Sequence, residues 1–167
     1  SDLQLKHFVL HTGKHSGFIG DLHISGLPDI NNTYLHLRAK ELCSHYADLI
    51  EIPLYPFNEG KLPEIPTTLA NLGRVSFKGT FDGFLNDFTT YGTFKTGIGT
   101  VYTDLSLQLP ENTKNTAYKG TIRTEQFDLG TLLGQSDFNQ LNIDLKLNGT
   151  GFTPQDIDAE VSGLVRN

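Results

Sequence analysis

The regular alternation of apolar and polar residues constrains this chain more than any other feature of its sequence. Within residues 141–148 every odd position is Leu or Ile and every even position is Asn, Asp or Lys. Residues 75–82 and 101–109 repeat this period of two, with one glycine and one threonine among the odd positions. Successive side chains of a β-strand point to opposite faces of the sheet, so each segment predicts a strand with one apolar and one solvated face.

Further segments follow the alternation less strictly, and short turn signals separate them. The weaker strand segments are residues 22–26, 34–42, 88–98, 118–124 and 157–165. Turn signals lie at residues 97–99, 110–112 and 113–115, at a spacing typical of hairpins. We therefore predict an all-β fold with an antiparallel meander. A β-sandwich or jelly roll would give nearly the same alternation and stays open as the alternative.

Two segments depart from this pattern, and one stretch is rich in proline. Residues 44–50 and 127–133 place apolar residues three and four apart, which predicts one or two short helices. Residues 53–66 contain four prolines. Because proline has no N–H to donate to a central ladder, this stretch is predicted to be a loop or an edge crossing.

Charge and composition exclude some classes of function. The 167 residues carry a formal net charge of −6 and contain no Lys/Arg cluster, which argues against nucleic acid as a partner. The single cysteine, Cys43, excludes an internal disulfide without fixing the compartment. No run approaches the ~20 apolar residues that cross a bilayer. The first residues lack the order of a signal peptide, and the sequence has no Met, so we expect an internal fragment of a larger protein.

A strand, turn and strand pattern recurs weakly around residues 22–42, 74–110 and 140–167. In each copy an alternating strand ends in Gly plus an apolar residue, and Asp plus an apolar residue opens the next strand. The strand-end glycines are Gly26, Gly83 and Gly151. Glycine at such a point indicates a turn with positive φ or a close backbone approach. We predict that residues 1–167 form one fragment of a repetitive β-protein.

Three stretches, taken in order, carry a resemblance to a known family. They are GLPDINNTYLHLRAKEL (residues 26–42), LGRVSFKGTFDGFLNDFTTYGTFKTGIGTVYTDLSLQL (72–109) and YKGTIRTEQFDLGTLLG (118–134). Their order and spacing resemble the repeat region of TamB and AsmA-like proteins, particularly of the kind found in Bacteroidota. The resemblance covers the chain from His23 to its end and rests on all three stretches together.

The resemblance implies a fold, a location and partners. It implies long strands in a curved, U-shaped open sheet with an apolar interior, within a periplasmic protein anchored in the inner membrane of a Gram-negative bacterium. The family is linked to phospholipid transport between the two membranes and to assembly of outer-membrane proteins. The implied partners are phospholipid acyl chains, adjacent repeats of the same chain and, at the distal end, an outer-membrane barrel protein.

The residues offer little support for catalysis, and we predict neither an enzyme nor a cofactor. His7, His11 and His15 recur every fourth residue, but on a strand this spacing leaves them ~13 Å apart, so solvated histidines are expected rather than a metal site. The aspartates lie in turns or on wet strand faces, without a pairing that marks an acid and a base. Cys43 has no neighbouring basic motif and is expected to be a small buried hydrophobe.

The apolar strand face is therefore the candidate functional surface. Its residues admit two interpretations, a packed core or a groove for acyl chains, with Lys78, Asp82, Asp104, Asp144 and Lys146 on the solvated side. A competing hypothesis is a compact sandwich that binds glycan or protein through loop aromatics such as Tyr46, Tyr55 and Phe57, and a third is a structural spacer. The candidate groove residues are Val75, Phe77, Phe81, Phe88, Phe94, Val101, Leu105, Leu107, Leu109, Ile122, Leu141, Ile143, Leu145, Leu147, Ile157 and Val161.

Overall fold

The chain folds into one open antiparallel sheet, seen in a computed structural model that describes residues 1–27, 29, 32–51, 67–109, 116–135, 140–151 and 157–166. The strands are β1 (Asp2–Thr12), β2 (Ser16–Ser25), β3 (Tyr34–His45), β4 (Arg74–Phe84), β5 (Asp87–Thr96), β6 (Gly99–Gln108), β7 (Ala117–Glu125), β8 (Phe127–Asp128), β9 (Gln140–Thr150) and β10 (Asp158–Arg166).

Strand order follows the chain almost without exception. Each strand from β1 to β6 pairs with the next, β7 pairs with β9, and β9 with β10, while the two-residue β8 pairs with the start of β9. Strands β1 and β10 are the two edges. The predicted antiparallel all-β fold is confirmed, and the described strands build one open sheet rather than the two layers of a sandwich.

The open sheet leaves an unusually large surface. The chain exposes 11077 Å², whereas a compact monomer of this mass would expose about 8,200 Å². A single layer has no second sheet to cover either face, and its core consists of neighbouring side chains on one face. Among the described residues the buried hydrophobic ones are accordingly few: Phe18, Ala39, Phe77 and Phe127.

Two β-bulges interrupt the ladders at the β1 side of the sheet. The register of β1 against β2 shifts between Leu5 and Phe8, and that of β3 against β4 shifts between Ala39 and Leu42. A bulge inserts one extra residue and bends the strand. The alternation predicted no strand over β1 and placed only residues 22–26 of β2 in a strand, so the structure adds both segments.

Short helices cluster at one end of the strands. Helix α1 (Tyr46–Leu49) follows β3, a 3-10 helix (Thr67–Leu72) precedes β4, and α2 (Leu129–Leu133) lies between β8 and β9. The amide of Asn71 donates to the carbonyl of Leu132 at 3.2 Å, which joins the 3-10 helix to α2. The two predicted helices are confirmed at Tyr46–Leu49 and Leu129–Leu133, whereas residues 44–45 and 127–128 are in strands, and the 3-10 helix is an addition.

The strand-end glycines take the conformations expected of them. Gly26, Gly83 and Gly151 have φ of 105°, 134° and 72°. The expectation that Asp plus an apolar residue opens the next strand holds at Asp87, the first residue of β5, but is wrong at Asp29, because β3 begins only at Tyr34. The turn predicted at residues 97–99 joins β5 to β6. The loops predicted at 53–66, 110–112 and 113–115 lie outside the described residues.

Carboxylates hold the β1 bulge, the β1–β2 turn and the start of α2 by accepting backbone N–H groups. The pKa of each lies below its usual 3.8, chiefly because of that bond. The pairs are Asp21 with His7 (2.8 Å), Asp48 with His15 (2.7 Å) and Asp128 with Thr131 (2.8 Å). Asp48 also accepts from the Ser16 hydroxyl at 2.8 Å, so it ties the β1–β2 turn to α1.

The lowered pKa values of these three carboxylates predict that the fold becomes less stable in acid. A carboxyl with a lower pKa in the folded chain stabilises the fold above its unfolded pKa, and this contribution is lost as the pH falls through the folded value. We expect a thermal midpoint that is flat from about pH 7 to about pH 5 and falls below about pH 4. Asp48→Asn flattens this acid limb in melts followed by circular dichroism, whereas Asp104→Asn, an exposed residue of the polar face, leaves it unchanged. Equal acid limbs in the two variants would contradict the assignment.

Candidate functional site

One face of the sheet is apolar across its whole width, and we call it the apolar face. Residues directly opposite in an antiparallel ladder point to the same side, so the strand registers define rows that run from β1 to β10. The row that shows this best consists of Leu5, Leu22, Leu37, Phe81, Thr90, Leu105, Gly120, Leu147 and Val161. None of its members is charged. The apolar face is thus a continuous surface built from nine strands.

The predicted groove residues all lie on this face or at its strand ends. Val75, Phe77 and Phe81 are on β4, and Phe88 and Phe94 on β5. The remaining strand residues are Val101, Leu105 and Leu107 on β6, Ile122 on β7, Leu141, Ile143, Leu145 and Leu147 on β9, and Val161 on β10. Leu109 directly follows β6, and Ile157 directly precedes β10.

Half of the apolar face is packed. Phe18, Ala39 and Phe77 form a buried cluster, surrounded by Phe8, Leu22, Leu37, Leu42 and Phe94. The Phe77 ring lies 4.5 Å from the Phe94 ring and covers the facing pair Gly79 and Gly92, where an added Cβ would meet Phe77 at 2.8 and 2.6 Å. Because these glycines have no side chain, the Phe77 ring can lie directly over their backbone. Phe77, only 5% exposed, is a core residue.

The other half of the apolar face is open. Toward β10, Val161 and Val165 are 53% and 60% exposed, and Ile157 is 55% exposed. Between these extremes, Leu105, Leu145 and the other apolar side chains of β6, β7 and β9 are half-buried. The sequence alone left packed core and groove as equal alternatives for each residue. The structure divides them by position, with packing around β2 to β5 and accessible surface toward β10.

Sequence reasoning missed the contribution of β1, β2 and β3 to the apolar face. Its members there are Leu3, Leu5, Phe8 and Leu10, then Phe18, Leu22 and Ile24, then Leu35, Leu37 and Leu42. The bulges shift the alternation by one residue, so the strict period of two fails. A signal was present: the charged or polar pairs Lys6-His7 and Lys40-Glu41 each separate apolar residues three apart instead of two.

The opposite face, which we call the polar face, is charged and hydrogen-bonded. Lys78, Asp82, Asp104, Asp144 and Lys146 all lie on it, as predicted. On this face the guanidinium of Arg123 stacks 4.5 Å over the Tyr102 ring and pairs with Glu125 at 3.0 Å. These groups keep one side of the sheet in contact with water.

Two histidine–carboxylate pairs on the polar face were not singled out from sequence. His23 lies directly opposite His36, and each ring contacts a carboxylate at 2.6 Å, His23 that of Asp2 and His36 that of Asp82. The hydroxyl of Tyr34 donates to the same Asp82 carboxylate at 3.2 Å. Desolvation first, and then this carboxylate, raises the pKa of Tyr34. Because the hydroxyl bonds the carboxylate and not an imidazole, the cluster lacks the nucleophile, imidazole and carboxylate order of a triad.

Of the other candidate reactive groups, His11, His15 and Cys43 border one pocket, and the His15 ring lies 5.9 Å from the His45 ring. His7 and His11 are exposed on β1 and His15 is exposed in the following turn, as expected of solvated histidines. Within the described ranges no three His, Cys, Asp or Glu residues come together in a way that could hold a metal ion. Cys43 is half-buried on β3 rather than buried as expected. Among the described helices none is long and apolar enough to span a membrane.

The fold and this site define a class: an open, single-layer antiparallel sheet with one continuous apolar face and one charged face. No protein-family model, no curated protein and no solved structure shows significant similarity to this chain.

Proposed function

We propose that the apolar face binds phospholipid acyl chains, and that the chain is a periplasmic segment of an inner-membrane-anchored, TamB-like protein. In this role the segment carries lipid between the inner and outer membranes or supports assembly of outer-membrane proteins. The observation that carries the proposal is the continuous apolar face of a sheet that is not closed by a second layer. The family assignment rests on the resemblance of residues 26–42, 72–109 and 118–134.

The size of the surface suits an acyl chain. Eight steps between the nine ladder strands, at about 4.8 Å each, give a face about 38 Å wide across the strands. Parallel to the strands, about ten residues per strand give the face a length of about 33 Å. Leu, Ile, Val and Phe side chains supply this surface without a charged group in the central row. An acyl chain laid across the strands would meet apolar atoms at every step.

The energetic need for such a surface is large. An acyl chain exposed to water costs ~0.8 kcal/mol per CH₂, so two ordinary chains present a barrier of tens of kcal/mol. Neighbouring positions on the apolar face are chemically alike, so a chain sliding from one strand to the next would change its free energy little. Binding of this kind requires neither a cofactor nor covalent chemistry, and the headgroup can remain in water.

The unequal packing of the face indicates where lipid would bind. Phe77 and its neighbours already fill the surface around β2 to β5. Leu145 on β9 and Leu105 on β6 are half-buried, and Val161 on β10 is largely exposed. We therefore place the acyl chain over β6 to β10.

Photo-crosslinking tests the proposal directly. We expect Leu145→benzoylphenylalanine, incubated with vesicles of phosphatidylethanolamine and phosphatidylglycerol and irradiated, to give a phospholipid adduct in intact-protein mass spectra. The matched control is Lys146→benzoylphenylalanine, one residue away on the polar face, which gives none above background. Leu105 and Asp104 provide a second such pair on β6. The absence of adducts from both apolar positions, or equal adducts from both faces, would leave a structural spacer as the better account.

A further inference from the structure

The two edges of the sheet differ, and this difference singles out β10 as a surface for pairing with another strand. An unpaired edge strand presents a row of N–H and C=O groups that another strand can bond, and proteins commonly blunt such edges with bulges and charges. The edges of this sheet are β1 and β10. Both edges carry charged residues, but only β1 is interrupted by a bulge.

Strand β1 is blunted. Its bulge between Leu5 and Phe8 contains Lys6 and His7, and His7 has a positive φ of 52°. The backbone N–H of His7 donates inward to the Asp21 carboxylate at 2.8 Å, which locks the bulge in place. A partner strand laid along β1 would therefore meet a break in its ladder and an exposed lysine.

Strand β10 carries the charged residues Asp158, Glu160 and Arg166, but it has no bulge. It pairs with β9 from Asp158 to Arg166 without a register shift, and all nine of its residues are exposed. It also carries exposed apolar side chains on both faces: Val161 and Val165 on the apolar face and Leu164 on the polar face are 53%, 60% and 56% exposed. A regular, exposed and apolar edge of this kind is the sort that recruits a further strand.

The sequence of β10 is complementary to itself when two copies run antiparallel about Ser162. In that register all nine residues pair, and Asp158 lies opposite Arg166 of the second copy, twice by symmetry. On the apolar face Val161 lies opposite Gly163 and Val165 opposite Ala159, so each large side chain meets a small one. The smallest slide of one copy along the other that keeps the same faces together is two residues. Such a slide in either direction leaves two residues of each copy unpaired.

We infer that two copies of this chain associate through β10, by antiparallel pairing about a two-fold axis at Ser162. The axis is normal to the sheet, so the two apolar faces lie on the same side and join into one surface of twice the strand number. Nine paired residues contribute about eight to ten backbone hydrogen bonds. The inference depends on the edge strands alone and holds whatever the apolar face binds.

A single engineered thiol tests the register. In a Cys43→Ser background, Ser162→Cys places two thiols opposite each other with Cα atoms about 4.5–5.5 Å apart, which is within disulfide range. We expect mild oxidation to give a covalent dimer on non-reducing gels. Glu160→Cys is the matched control, because its two copies would lie about 13 Å apart along the ladder and cannot bridge.

A charge swap tests the partner. Arg166→Asp places like charges at both ends of the paired strands. We expect this to weaken the dimer, raising its dissociation constant about tenfold in sedimentation equilibrium. The double variant Asp158→Arg/Arg166→Asp restores opposite charges and with them the original affinity. A monomer at all concentrations, equal disulfide yields at positions 160 and 162, or a double variant as weak as the single one would overturn the inference.

Discussion

Replacing Phe77 with alanine is expected to lower the free energy of unfolding by about 3–5 kcal/mol. The side chain is only 5% exposed, its ring lies 4.5 Å from that of Phe94, and it covers the backbone of Gly79 and Gly92. These glycines have no side chain that could fill the cavity left behind. Since whole domains are stable by only about 5–15 kcal/mol, the loss would be visible as a large shift of the urea midpoint.

Lys78→Ala is the matched control for Phe77→Ala. Lys78 is the next residue of β4, is exposed, and lies on the polar face. Its replacement is expected to change the free energy of unfolding by no more than about 0.5 kcal/mol. Similar midpoints for the two variants would mean that the cluster around Phe77 contributes no packing energy. The interpretation of this half of the apolar face as a packed core would then be wrong.

The second large effect is expected at Gly120, where the backbone of β7 passes close to that of β6. Gly120 has φ of 144°, a region that residues with a side chain rarely adopt, and an added Cβ would overlap the carbonyl oxygen of Asp104. Gly120→Ala is expected to cost about 1–3 kcal/mol in backbone strain and about 1–3 kcal/mol more in overpacking. Urea unfolding measures the sum.

Gly134→Ala separates these two contributions. Gly134 ends α2 in the left-handed conformation, with φ of 67°, and no atom lies within 4 Å of an added Cβ. Its replacement carries only the conformational cost, about 1–2 kcal/mol. Gly120→Ala should therefore cost clearly more than Gly134→Ala. An equal cost would show that β6 and β7 separate readily, and that the sheet is looser at this point than the close approach indicates.

The contrast between packed and open halves bears on how the proposed lipid surface would work. The cluster around Phe18 and Phe77 holds β2 to β5 together and leaves no room for a ligand. Toward β10 the side chains of the same face become more exposed, and the edge strand β10 itself is regular and exposed. If two copies pair through β10, the open halves meet at the centre of the joined sheet and the packed halves lie outside. The surface proposed for acyl chains would then be doubled where it is most accessible.

Much of the fold could be predicted from the sequence, because period-two alternation is a local property. Residues 141–148 show it without interruption and form the centre of β9, which runs from Gln140 to Thr150. The helical spacing of residues 127–133 likewise indicates α2, although residues 127–128 form β8 and the helix begins at Leu129. Where a bulge intrudes, as between Leu5 and Phe8, the alternation changes phase and the strand is overlooked. The bulge is set partly by the Asp21 carboxylate, which lies fourteen positions further along the chain from His7.

The sequence by itself determined that each strand has one apolar and one solvated face, since side chains alternate along any extended backbone. It did not determine what covers the apolar face, because a sandwich and an open sheet require the same alternation. Only the tertiary structure decided this, by pairing every ladder strand within one sheet. It also decided which apolar residues are core: Phe77 lies between Leu42 and Phe94 on its two neighbouring strands, whereas Val161 on the edge strand has a neighbouring strand on one side only.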